Sequence, residues 1–244
     1  MNIDYTRYYL KWHDDSDAHR ASMIAYYRNL LESLLPADKS AQVLDVGCGM
    51  GFALLALREM GFSSLSGVES DPGQAKSCQA KNLNVSLRDD TIEFLKQQPK
   101  TQDLIVCLDV IEHIPVGVQL AFVRALAGAL RPGGKLICTV PNANSALAAR
   151  WRYNDWTHAA SFTEHSLDFL LYNGGFTDIQ VAGHEFNRRP KQVWLPVGGT
   201  RHWWAFRFFR LFRRLEMMAE LGPAQGRAVP LSLNLIATAN KRSD

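Results

Sequence analysis

Cysteine is sparse and unpaired in spacing: Cys48, Cys78, Cys107 and Cys138 form no C-x-x-C, which argues against a zinc ribbon, a dithiol redox site or a disulfide scaffold. Three of them sit in or beside apolar strand-like runs, so reduced, mostly buried thiols in a cytoplasmic protein are expected. No run of eighteen apolar residues occurs, and residues 1–20 are polar and aromatic without an apolar h-region, so neither a spanning helix nor a signal peptide is expected. Charge imbalance is also missing. Twenty-seven Lys and Arg against 24 Asp and Glu leave +3, too little to argue for nucleic acid. With 47% hydrophobic and 21% charged residues over 244 positions, the chain suits one large domain with an elaboration rather than disorder.

One stretch organises the rest. Val43 to Val46 is apolar apart from Asp45, as a strand buried on both faces would be, and glycines follow at 47, 49 and 51 before the helical-period segment Phe52–Met60. That is strand, tight turn and helix N-terminus. The spacing is G-x-G-x-G, whereas a dinucleotide turn has G-x-G-x-x-G with a pyrophosphate on the helix. Asp45, two residues before the first glycine, would repel a diphosphate and attract an ammonium, which points to S-adenosylmethionine. Leu44-Asp45-Val46-Gly47-Cys48-Gly49-Met50-Gly51 resembles motif I of the class I methyltransferases, which adds Gly47, Cys48 and Gly49 to the expected cofactor site.

The following segments alternate strand and helix. Ser22–Leu35 has helical spacing with Pro36 as a stop; Leu65–Val68 reads as a second strand ending in Glu69, which with Ser70 is placed to meet a ribose. Asp71-Pro72 should open a helix reaching about Lys81, and Val85–Leu87 is a short third strand. The resemblance then implies that Asp90 meets the adenine amino group beside Thr91, with Asp89 as a competitor; either could simply cap a helix. Asp103–Leu108 is a fourth buried strand delivering Leu108 and Asp109 to the same crevice. Asp109-Val110-Ile111-Glu112-His113 resembles the D-V-L-E-H segment of the ubiquinone-biosynthesis O-methyltransferases, and the likeness covers roughly residues 40–140. His113 is then a base, a substrate ligand or a loop support. Helix 118–130, an Arg131–Lys135 turn and strand 136–140 follow.

An acceptor is read into the loop 142–165, where Trp151, Tyr153, Asp155, Trp156, His158 and His165 lie within fifteen positions. Flat aromatic faces and forked polar groups suit a sugar. Asp155-x-x-His158 is the expected orienting acid and general base, with His113 and His165 as alternates; His158 bonded to loop backbone is the competing reading. The D-x-T-H, F-T-x-x-S-L and G-G-F elements are similar to methyltransferases of bacterial polysaccharide and glycolipid gene sets, which implies a glycan or glycolipid acceptor.

The expected architecture is a doubly wound, Rossmann-like, seven-stranded and mostly parallel α/β sheet. Residues 1–36 form a helical lid or cover, 37–186 the cofactor-binding core, 187–230 an insertion, and 231–244 the last strand and tail. Within the insertion, residues 201–215 put Arg207, Arg210, Arg213 and Arg214 opposite Trp204, Phe208, Leu211, Phe212 and Leu215. That helix suits an anionic membrane interface or lipid-linked acceptor, its own domain, or a homodimer contact; nucleic acid is not expected. The reading is S-adenosylmethionine-dependent O-methylation of a sugar hydroxyl, without a metal because no local cluster of ligands demands one. Alternatives are a ubiquinone-type phenol O-methyltransferase and a catalytically idle cofactor-binding module.

Overall fold

The computed structural model describes residues 4–184 and 201–243. Seven strands among these residues form one sheet in the order β3-β2-β1-β4-β5-β7-β6. They are β1 (Val43–Val46), β2 (Leu65–Glu69), β3 (Val85–Leu87), β4 (Gln102–Leu108), β5 (Leu130–Pro141), β6 (Phe176–His184) and β7 (Asn234–Lys241). The first five pair in parallel, and β7 enters antiparallel between β5 and β6. The order reverses between β1 and β4, and ligands of open α/β sheets bind beyond the carboxyl ends at such a reversal. Val43, Leu44 and Val46 are wholly buried, so helices cover the central strand on both faces.

The helices follow the capping chemistry of the chain. They are α1 (Tyr5–Tyr9), α2 (Asp17–Leu31), α3 (Phe52–Glu59), α4 (Pro72–Ala80), α5 (Thr91–Lys96), α6 (Val116–Ala129), α7 (Ala148–Asn154), α8 (Glu164–Asn173), α9 (Arg201–Leu221) and α10 (Pro223–Ala228). Asp71 caps α4 through the amides of Gly73 and Gln74 with Pro72 in the first turn, as expected. Thr163 caps α8 in a reciprocal box with Ser166. The core lies between the sheet and α6/α8 on one face and under α2 and α3 on the other, with Phe122, Phe176, Leu126 and Leu171 at the centre of the first.

Several boundaries differ from the sequence reading. The helix expected at 22–35 starts at Asp17, because Ser16 accepts from the His19 amide, and stops at Leu31. The helix expected at 118–130 starts directly after Pro115. The Arg131–Lys135 turn is absorbed into β5 as an irregularity, where the β4–β5 register shifts between Gln102 and Leu104 and Gly133 has φ +73°. The last strand starts at Asn234 rather than Leu231. The strand end expected at Phe186 and the first part of the insertion, 187–200, lie outside the described residues. All four cysteines are buried and free.

Candidate active site

The turn after β1 closes through left-handed backbone: Gly47, Gly49 and Gly51 have φ +70°, +56° and +82°. A Cβ on Gly47 would come within 2.5 Å of Val110 Cγ2, so the glycine also lets the loop after β4 approach. Glu69, at the tip of β2, accepts from the Gly49 amide through Oε2 and from the Ser70 and Asp71 amides through Oε1, each at 2.8 Å. The carboxylate therefore ties the glycine loop to the second strand. Cys48 is buried behind the loop, and Leu108 closes β4 beside it.

Asp45 is 2% exposed, and its Oδ2 has no hydrogen-bond partner. Burial and the neighbouring Glu69 push its carboxyl up to about 7. An unpaired buried carboxylate oxygen beside an amide-lined loop fits an ammonium. Asp109 takes up φ +54° at the end of β4, and its Oδ1 accepts from Thr139 Oγ1 at 3.0 Å and Asn234 Nδ2 at 3.2 Å. Two donors thus hold a left-handed non-glycine residue at the strand tip. Asp90 faces solvent and accepts from the Glu93 amide at 2.9 Å, capping α5, with Thr91 as the first helical residue. The resemblance assigns it the adenine amino group, and the structure shows it as the α5 cap.

The N-terminal helix lies across this crevice. Thr6 donates to Asp71 through both its amide and its hydroxyl, and a Cβ on Gly49 would stand 3.3 Å from Tyr9 Oη. Burial raises the Tyr9 phenol, with Glu69, Asp109 and Asp45 adding to the shift, so Tyr9 sits among the acidic groups of the cofactor side. Asp15 pairs with Lys81 at 2.7 Å and holds the segment down further along.

A second cluster, absent as such from the linear sequence, forms where the loop after α7 docks on the 3₁₀ turn Ile111–His113. The amides of Ala159 and Ala160 both donate to the Glu112 carbonyl, at 2.6 and 3.3 Å. Asp155 accepts from Tyr5 Oη at 2.8 Å, the Thr157 amide at 2.8 Å and Thr157 Oγ1 at 2.7 Å. Burial alone would raise this carboxyl; the bonds from Thr157 and Tyr5 overcome it and hold it below its ordinary value. An ionised carboxylate only accepts, so the single Thr157 hydroxyl proton points to Asp155 and the 2.8 Å contact with His113 Nδ1 is donated by the imidazole. His158 Nδ1 likewise donates to the Trp151 carbonyl at 2.8 Å. Both rings therefore leave Nε2 as a bare lone pair. Burial lowers both histidines, His113 to about 4 with His158 beside it adding to the effect, so both are neutral at pH 7. Their ring centroids are 4.6 Å apart, and Asp155 Oδ2 stands 4.0 Å from His158 Nε2.

Glu112 completes the cluster. It is 1% exposed, its Oε2 has no partner, and burial with nearby Asp109 drives its carboxyl well above the ordinary range. Glu112, His113 and His158 each offer a ligand atom within 4.8 Å of the others, a set chemically able to hold a divalent cation. No local run of the sequence holds such a set; the fold assembles it from residues 45 positions apart. Glu112 was not read as a site residue, and its place between Ile111 and His113 was the available signal.

Of the remaining expected acceptor residues, Trp151 lies beside this cluster through its carbonyl. Tyr153 and Trp156 are 77% and 80% exposed, and His165 is exposed on the first turn of α8 beside Glu164, so these three stand outside the His113/His158 cluster. The reading of His158 as bonded to loop backbone is correct for Nδ1 and leaves Nε2 available.

A doubly wound sheet with a terminal antiparallel strand, a glycine loop over an unpaired acid and an N-terminal cover defines the class I S-adenosylmethionine-dependent methyltransferase architecture. A model described as "Methyltransferase domain" matches residues 18–181, two thirds of the chain, and the chain belongs to that family. Ubiquinone biosynthesis O-methyltransferases from Xanthomonas campestris pv. campestris and Idiomarina loihiensis are 33% and 37% identical over 114 and 108 residues. Those matches cover 45% and 42% of this chain and 46% and 43% of the relatives, less than half their length. Among solved structures, a SAM-dependent methyltransferase from Archaeoglobus fulgidus superposes with a TM-score of 0.64 at 22% identity, covering 91% of this chain and 94% of that one. The Haemonchus contortus phosphoethanolamine N-methyltransferase 2, solved in complex with S-adenosyl-L-methionine, gives 0.58 at 15% identity, covering 89% and 52%. S-adenosylmethionine is the cofactor of this class, and the Asp45 loop fits it.

Proposed function

We propose that the protein methylates a hydroxyl oxygen, most simply a sugar hydroxyl of a glycan or glycolipid precursor. The observation carrying this reading is the pair of neutral imidazoles, each with Nδ1 occupied and Nε2 bare, beside an ionised Asp155. A hydroxyl must lose its proton as its oxygen attacks, and a positioned imidazole contributes about 10²–10⁴-fold to such a step. His158 Nε2 accepts that proton, and Asp155 steadies the resulting cation at 4.0 Å. His113 orients Thr157 and is the alternate base.

The cofactor supplies an electrophilic methyl on a sulfonium. Asp45 would hold the amino acid head, Gly47, Cys48 and Gly49 the approach to it, Glu69 and Ser70 the ribose, Asp90 and Thr91 the adenine side, and Leu108 and Asp109 the opposite wall. Glu69 reaches a ribose only by exchanging amide partners or sharing an oxygen, since its present bonds run to the loop. Trp151, Tyr153, Trp156 and His165 form the outer acceptor surface in this reading, with Tyr153 and Trp156 free to close on a sugar ring.

A phenol acceptor is the second reading, supported by the likeness to the ubiquinone biosynthesis O-methyltransferases. An assay with labelled methyl donor and either nucleotide-sugar and polysaccharide acceptors or a polyprenyl phenol separates the two, with the product located by mass spectrometry. Turnover on the phenol alone would discard the sugar. Tight adenosylhomocysteine binding without turnover on any acceptor would leave the idle module standing.

A further inference from the structure

Helix α9 carries a surface that the proposed chemistry does not use. Trp204, Phe208, Phe209, Leu211, Phe212 and Leu215 are all exposed, Phe209 by 69%, and the spacing of 204, 208, 211, 212 and 215 puts them on one stripe. The stripe runs about 17 Å along the helix. The opposite side is engaged: Arg214 Nη1 donates to the Gly226 and Val229 carbonyls at 2.6 Å, and Gly226 of α10 packs against the α9 backbone, where a Cβ would come within 2.5 Å of the Met218 Cα. Of the arginine face, Arg214 is thus turned onto the protein itself. α10 uses it as a carbonyl clamp, and this leaves the aromatic side facing solvent.

Charge favours one kind of surface opposite this stripe. Of the five arginines of α9, Arg214 is held by α10 and Arg213 pairs with Glu216 at 2.6 Å, while Arg201 and Arg207 are exposed. The two acids, Glu216 and Glu220, are confined to its C-terminal end, while Arg201 precedes the aromatic stretch, Arg207 interrupts it, and the Arg207 guanidinium lies 5.6 Å over the Trp203 ring. A large apolar face bordered by arginines is the composition of a helix lying in the plane of an anionic bilayer. No described helix is long and apolar enough to cross a membrane, so α9 would lie on the bilayer rather than span it.

The chain that follows α9 and α10 is rooted on the rim that holds the site. The segment after α10 is pinned to the carboxyl end of β5 by Asn142, whose Nδ2 donates to the Pro230 and Ser232 carbonyls at 2.8 Å, and Asn234 reaches Asp109. We propose that α9 docks the protein on an anionic lipid surface, so that the site takes an acceptor carried on a lipid. The lipid-linked acceptor rests on the methyl-transfer reading above; the docking does not.

Flotation of the full chain with vesicles of mixed phosphatidylglycerol and phosphatidylcholine, and with phosphatidylcholine alone, tests the docking. The wild type should float with the anionic vesicles and less so as salt rises. Phe208→Ser, Leu211→Ser and Phe212→Ser together should lower partitioning at least tenfold, and Arg201→Gln with Arg207→Gln by about fivefold per arginine. Calorimetry with adenosylhomocysteine shows whether the variants are folded, and the arginine pair stands in if the serine variant is not. A wild type that ignores anionic vesicles, or binding unchanged in both variants, overturns the proposal. So does a concentration-dependent dimer that the serine variant dissolves without any vesicle binding, because a second copy then covers the face. If no form binds adenosylhomocysteine while the wild type floats, the methyl-transfer reading fails and the docking stands.

Discussion

Tyr5 and Asp155, separated by 150 positions, share a 2.8 Å hydrogen bond in which the phenol donates to Oδ2. The adjoining residue, Thr6, bonds to Asp71 at the start of α4, so one turn of α1 touches the loop after α7 and the start of α4 together. α1 thus supplies one of the donors on the carboxylate that lies 4.0 Å from His158 Nε2.

Replacing that donor should act on chemistry more than on cofactor affinity. A hydrogen bond to a charged group is worth about 1.5–3 kcal/mol. Tyr5→Phe should lower kcat about tenfold and leave adenosylhomocysteine affinity near wild type, whereas Thr6→Ala should weaken the cofactor instead. Steady-state kinetics beside calorimetry distinguish the two; equal effects of both variants on affinity alone would remove Tyr5 from the acceptor site.

Cofactor affinity should depend on pH through Asp45. In the free protein its carboxyl titrates at about 7, raised by burial and Glu69, and only its ionised form attracts an ammonium. Affinity should therefore level off above pH 7 and fall as pH drops below it, up to tenfold per pH unit. Binding at neutral pH should release a proton, visible as a dependence of the measured heat on buffer ionisation enthalpy. Asp45→Asn should bind more weakly and lose that dependence.

Acid should destabilise the fold through its buried histidines. Burial lowers His13 and His113 to about 4 in the folded chain, below the unfolded value of 6.5. The unfolded chain thus takes up protons first, and the stability these groups contribute is fully present above pH 6.5 and lost as pH falls toward 4. His113→Gln with His13→Gln should flatten the melting temperature between pH 6.5 and 4 relative to wild type.

Loss of the proton acceptor should separate turnover from binding. His158→Ala and Asp155→Asn should each cut kcat by about a hundredfold or more while adenosylhomocysteine still binds. An unaltered rate in both would move the base to His113, whose bare Nε2 is the remaining candidate.

The glycine loop should tolerate no side chain at its third position. Gly51 has φ +82°, and a Cβ there would stand 2.3 Å from Leu83 Cδ1 and 3.0 Å from Cys78 Sγ. Gly51→Ala should cost at least about 2 kcal/mol in urea unfolding, from strain and overpacking together.

Central strands and their loop were legible because a parallel strand buried on both faces must be apolar throughout, and Asp45 stands out within Val43–Val46. Asp71-Pro72 was legible because a cap and a proline act locally. The acceptor cluster was legible only in part. Asp155 and His158 are near in sequence, but Tyr5, Glu112 and Thr157 meet them through the docking of a loop on a 3₁₀ turn, which no local pattern encodes. The orientation of α9 is not legible in the sequence for a related reason: its amphipathic pattern names two faces, and the need of the α10 carbonyls for a donor decides which one turns inward.

The segment carrying α9 and α10 is spliced between two strands whose ends remain paired, since Gly183 stands opposite Leu235 and His184 opposite Asn234. Both roots of the graft are therefore fixed by the sheet itself, a few ångströms apart. A change in length or composition between these two roots therefore leaves the strand register, and with it the glycine loop, where the sheet puts them.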